Sequence, residues 1–229
     1  MRFAPIVSAT GFAAVGAAVQ LGAFRGIDQW SINHMMPWVS PDAHASTLLS
    51  HVLPFTAHTP AAEIPAELWL YPASVPVAAL ITAGCCILLW RGGSRLPALA
   101  WASAWVFVNA IEILGKHALR RPTPHMTWRG SIVQLPTFDD SFPSGHAARA
   151  VFLAALVAAL WPRLRSPAAL WLAAVLPLLV VTNAHAPSDV VGAVFLSGAL
   201  SLICVRISRN AANAKAMGRH RPVVIQSRG

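Results

Sequence analysis

Six apolar runs, at residues 4–24, 71–90, 97–115, 147–161, 168–182 and 190–207, take up nearly half of this chain and decide what it can fold into. Crossing ~30 Å of hydrocarbon takes roughly 20 apolar helical residues, and most of these runs approach that length. Runs 147–161 and 168–182 are short, and each alone would pass for a buried helix of a soluble protein. Six together argue against that, because too little polar sequence is left to cover them. Of the 229 residues, 56% are hydrophobic and 11% charged, where a soluble domain carries about 25% charged residues. Ala, Gly and Ser recur inside the runs, as expected where helices pack backbone to backbone in lipid. The expectation is an all-α, polytopic membrane protein: a six-helix transmembrane bundle forming a single domain over residues 1–229. Cys85, Cys86 and Cys204 fall within apolar runs and read as small core residues, not as a disulfide framework.

The basic residues orient this bundle. Cytoplasmic loops carry the excess of Lys and Arg. Counting loops alternately, one side holds Arg2, Arg91, Arg95, Arg163, Arg165 and the tail residues Arg206, Arg209, Lys215, Arg219, Arg221 and Arg228. The other holds Arg25, Lys116, Arg120, Arg121 and Arg129, with Arg149 inside a run. Both termini are therefore expected in the cytoplasm, in the manner of a bacterial inner membrane protein, and residues 208–229 form a basic cytoplasmic tail. The formal charge of +9 does not point to nucleic acid, because the basic residues punctuate apolar runs instead of forming a patch on a soluble domain. Residues 1–24 are expected as the first span. The alternative is a cleaved signal peptide, with Arg2 as its charged region and small residues near Gly16 as the processing site.

Residues 25–70 mix polar and apolar character with Trp30, Trp38, Trp69 and several prolines, the pattern of interfacial segments on the outer surface. His44, His51 and His58 repeat there every seven residues, but Pro54 interrupts any continuous helix and no Cys or carboxylate stands at ligand spacing. Neither a metal nor a cofactor is expected.

Lys116, Arg120, Arg121 and Arg129 crowd into one outer loop, which the topology rule does not explain. Two further polar stretches, Phe142-Pro-Ser-Gly-His146 and His185-Ala-Pro-Ser-Asp189, fall at outer helix ends in the same topology. Pro143-Ser-Gly-His146 sits where a loop enters the fourth helix, whose N–H groups and dipole face any anion there. Alone, it is equally a Ser N-cap with a glycine turn. An aspartate four residues after His185 can hold one imidazole nitrogen and leave the other as a nucleophile. Imidazole has an unperturbed pKa of about 6.5, so much of it is in the attacking form at neutral pH. That pair alone is equally a helix cap beside an interfacial histidine.

Together, the three stretches resemble the motifs of the type 2 phosphatidic acid phosphatase superfamily over roughly residues 70–206. There the first motif is Lys, six residues, Arg-Pro; the second is Pro-Ser-Gly-His; the third is Ser-Arg, five residues, His, three residues, Asp. The resemblance implies a five-helix phosphatase-like core over 71–207 with an outer-face active site. It implies that His185 attacks phosphorus, Asp189 orients it, and His146 protonates the leaving group. Ser144 and Gly145 would bind phosphate oxygens, and Lys116 would add positive charge.

The first and third motifs are degenerate. Thr123 and Leu179 stand where the family has arginine. Arginine forks bind phosphate bidentately, and hydrogen bonds to charged groups contribute about 1.5 to 3 kcal/mol each. Two absent arginines correspond to roughly a hundred- to ten-thousand-fold in rate if all of that acts in the transition state. Arg121-Pro122 restores an Arg-Pro pair two residues early, with Arg120 beside it. Arg149 lies one turn after His146, where a charge in a membrane helix faces a polar cavity or snorkels to the interface. Glu112 precedes Lys116 by four residues and can engage it in a helical ion pair. The expected activity is hydrolysis of a lipid or prenyl (di)phosphate at the bilayer through a phosphohistidine. The alternatives are a lipid phosphotransferase and a weak or silent member that binds lipid phosphate or a membrane partner.

Overall fold

The computed structural model of the chain describes residues 3–35, 68–128 and 131–219. His44, His51, His58, Trp38 and Arg129 lie outside the described residues. Each of the six apolar runs is helical. Helix α1 covers Ala4–Gln20 and α2 Arg25–His34. After a short 3-10 turn come α3, Val75–Arg91, and α4, Arg95–Ala118. A two-stranded antiparallel hairpin follows, with β1 His125–Trp128 paired to β2 Ser131–Gln134 in the register His125↔Gln134. Helices α5, Gly145–Leu160, α6, Arg165–Val181, and α7, Pro187–Arg219, complete the chain.

Helix lengths at ~1.5 Å per residue separate these elements into two groups. Helices α4 and α7 and the stretch from Pro162 through α6 are long and apolar enough to cross a bilayer, whereas α3 and α5 are shorter apolar helices. Helix α1 passes the same test only jointly with α2, which is bent 77° from it. Six apolar helices are thus present among the described residues, three of them of full spanning length. Gly22 permits the bend: its φ of +75° is a left-handed conformation that costs glycine little.

Helix α5 lies at the centre. Ala147, Ala148, Ala150, Phe152 and Leu156 on it are fully buried, which its small residues allow by admitting close neighbours. Ser197 of α7 donates its hydroxyl to the Ala148 carbonyl at 2.7 Å, and Trp101 of α4 meets Phe152 edge-on at 5.4 Å. Helix α1 packs along α7, where the Ser8 hydroxyl donates to the Phe195 carbonyl at 2.8 Å. The outside is apolar: Ile6, Leu80, Val106, Leu114 and Leu170 are each more than 60% exposed. A water-soluble monomer does not present apolar residues so widely over its helices. Facing lipid, they need no protein cover, and the chain is a multi-pass membrane protein.

Candidate active site

Up-and-down connectivity brings α2, the end of α4, the hairpin, the start of α5 and the α6–α7 turn to one end of the bundle. The acidic residues Asp28, Glu112, Asp139 and Asp189 lie at that end as well, in two clusters.

The first cluster is built around Asp189, which is fully buried in the first turn of α7. Its Oδ2 accepts from the Ser141 hydroxyl at 2.7 Å and from the Ala186 amide at 3.1 Å. Oδ1 accepts from Nη2 of Arg121. His185 Nδ1 stands 3.5 Å from Oδ2, a contact longer than the 2.7–3.2 Å of an ordinary N–H···O bond. The other arm of the Arg121 fork, Nη1, reaches Asp28 Oδ2 at 3.1 Å. Asp28 also accepts from the Ser188 amide at 3.1 Å and its hydroxyl at 2.6 Å. Burial pulls the Arg121 guanidinium below its ordinary pKa, while Asp28 and Asp139 pull it back up. Arginine starts so high that it keeps its proton.

The second cluster surrounds Glu112 near the end of α4. Lys116 Nζ donates to Oε1 at 2.9 Å and Arg149 Nη1 to Oε2 at 2.6 Å. Arg149 is also held by the Ala73 carbonyl, 2.7 Å from Nε, and by Asn109 Oδ1, 3.3 Å from Nη1. The Glu112 carboxylate lies over Gly145, where any Cβ would collide with it. Gly115 is equally constrained: a Cβ there would come within 2.7 Å of Pro143 Cδ.

The second motif is fastened to the third by a hydrogen bond from the Ser144 amide to the Asp189 carbonyl at 3.1 Å. The Ser144 hydroxyl accepts from the Ala147 amide at 3.2 Å, so this serine is an N-cap and its N–H is already engaged. His146 is the second residue of α5, half-buried. The positions lacking arginine are otherwise occupied. Leu179 belongs to the main apolar core, and the Thr123 hydroxyl donates to Asp139 Oδ2 at 2.9 Å.

The structure thus gathers His185, Asp189, Arg121, Ser144 and Gly145 around the α5–α7 junction, with Lys116 and Arg149 in the adjoining Glu112 cluster. Asp28 and Ser141 belong to none of the three sequence stretches, and Ser188, within the third as part of the turn into α7, proves to be a partner of Asp28. A signal was present: a chain with only 8 acidic residues places Asp28 in a segment expected at the outer surface, the side that holds the basic loop.

An end-on polar site with two histidines, built into an apolar helical bundle, defines the class as a polytopic membrane protein with a buried charge network. Sequence comparison adds the family. The PAP2 superfamily profile matches residues 95–213, over half of the chain, and the protein belongs to that superfamily. The fold is similar to a structure described as the first transmembrane PAP2 type phosphatidylglycerolphosphate phosphatase from Bacillus subtilis. The TM-score is 0.54 and the identity 17%, over 96% of this chain and 100% of that one. No curated protein matches the sequence.

Proposed function

We propose that this protein hydrolyses a lipid or prenyl phosphate at the membrane through a phosphohistidine. The observation that carries the reading is the joining of the second and third motifs by the Ser144–Asp189 bond, with the Arg121 guanidinium on the Asp189 carboxylate. A cation is thereby held beside His185 although Thr123 and Leu179 supply none.

In the proposed reaction His185 Nε2 attacks phosphorus while the bond from phosphorus to the leaving oxygen breaks, and His146 gives that oxygen its proton. His146 then takes a proton from water. The resulting hydroxide attacks phosphorus and breaks the P–N bond, releasing inorganic phosphate and regenerating His185. Asp189 holds the imidazole and offsets its positive charge. Lys116, Arg121, Arg149 and the Ser144–Gly145 turn bind phosphate oxygens. The apolar exterior suits a substrate whose tail stays in lipid while its head group reaches the polar end. The charge asymmetry of the loops supports an inner membrane orientation with that end outside and both termini in the cytoplasm.

The test is phosphate release by purified protein from phosphatidate, prenyl diphosphate and phosphatidylglycerol phosphate, beside His185→Ala. Loss of release in the variant is expected on at least one substrate; equal rates for both proteins on all three exclude hydrolysis. Label appearing in an added lipid alcohol instead of free phosphate identifies a phosphotransferase.

One observation favours a second reading, a weak or silent phosphate binder. Lys116, Arg121 and Arg149 are each ion-paired to a carboxylate. That reading predicts lipid phosphate binding without turnover in the same assay.

A further inference from the structure

We propose that Glu112 is the resident anion of the phosphate site, occupying the cation pair Lys116–Arg149 until a substrate phosphate replaces its carboxylate. The inference rests on reading this end of the bundle as phosphate-binding and deepens it.

Four observations converge on the Glu112 carboxylate. Its two oxygens divide between Lys116 at 2.9 Å and Arg149 at 2.6 Å. It rests on Gly145, where no side chain fits, at the first turn of α5, the positive end of that helix's dipole, which favours an anion. The carboxylate and both guanidinium-bearing and ammonium-bearing partners are sequestered to different degrees: the side chains of Glu112 and Arg149 are 9% and 5% exposed, that of Lys116 34%. The cluster is therefore open to the surface along the lysine and closed around the arginine.

A cation buried as Arg149 is needs an anion at all times, because removing one partner of a buried pair is strongly destabilising. A carboxylate satisfies that need with two oxygens at rest. A phosphate offers more oxygens and more charge in the same place. The guanidinium does not depend on Glu112 for its position, since the Ala73 carbonyl and Asn109 Oδ1 also hold it. Glu112 can therefore leave while the receptor for the incoming anion stays in place. Apparent affinity for phosphate is the difference between two anions competing for one pair of cations, and Glu112 sets it.

The experiment is equilibrium binding of inorganic phosphate to the full chain, comparing wild type, Glu112→Gln and Arg149→Gln. Glu112→Gln keeps the shape and removes the competing charge, and phosphate binding should tighten about tenfold or more. Arg149→Gln should weaken it about tenfold. Unchanged or weaker binding by folded Glu112→Gln overturns the proposal and makes Glu112 a structural tether. Should Glu112→Gln fail to fold, Arg149→Gln decides: binding equal to wild type overturns the proposal. Absence of saturable binding in every protein also overturns it. Tightened binding in a protein without His185-dependent phosphate release retains this inference and removes the hydrolase reading.

Discussion

Arg120 and Arg121 are chemically identical neighbours with opposite surroundings. Arg120 is exposed, whereas Arg121 is 8% exposed and forks between Asp28 and Asp189. A lysine at 121 offers one point charge in place of the fork and cannot serve both carboxylates in the same way. Phosphate release by Arg121→Lys should fall at least about tenfold, the equivalent of one charge-assisted bond, while Arg120→Ala stays within about twofold; comparable loss in both would show that the fork is not the relevant feature. At this scale the sequence indicated the site candidates, because motif spacing survives in a linear chain. It did not indicate Asp28, whose partners Arg121 and Ser188 are 93 and 160 positions away. No local pattern encodes such a pairing.

Among elements, the helical character of the apolar runs was legible because an apolar run in lipid must be helical to satisfy its backbone, although only three of these helices are of full spanning length. Their ends were less so. The last run stops near residue 207, but α7 continues to Arg219, through a segment rich in Ala, Asn, Lys and Arg that leaves the apolar pattern while keeping several good helix formers. The first run anticipated helix through residue 24, but α1 ends at Gln20 and Gly22 turns the chain into α2. The close passage of α4 beside Phe142 and Pro143 was also invisible, since it depends on Gly115 meeting a loop from elsewhere. Gly115→Val should destabilise the fold by about 1 to 3 kcal/mol through overpacking. Gly84, which has open space where a Cβ would go, should accept alanine without loss. Thermal unfolding of the two variants checks this, and equal midpoints would refute it.

For the whole molecule, the proposed orientation is open to test, because Arg120 lies just beyond the end of α4 and Lys215 bonds to Gly92 just before its start, at opposite ends of the bundle. In intact cells, a membrane-impermeant thiol reagent should label Arg120→Cys and not Lys215→Cys; the reverse pattern would invert the topology. The ion pairs at the Arg120 end carry a further consequence. Three cations, Lys116, Arg121 and Arg149, face three carboxylates, Glu112, Asp28 and Asp189, with two cations on Glu112 and two carboxylates on Arg121, so the six charges sum to zero. The two clusters are of opposite excess sign, and the field that each sends into water is screened within about 10 Å at ordinary salt. Beyond that distance these six groups add up to no net charge. They exert little long-range pull on an anion in solution, so if this end binds lipid phosphate, as proposed, the head group is delivered by lateral diffusion in the bilayer.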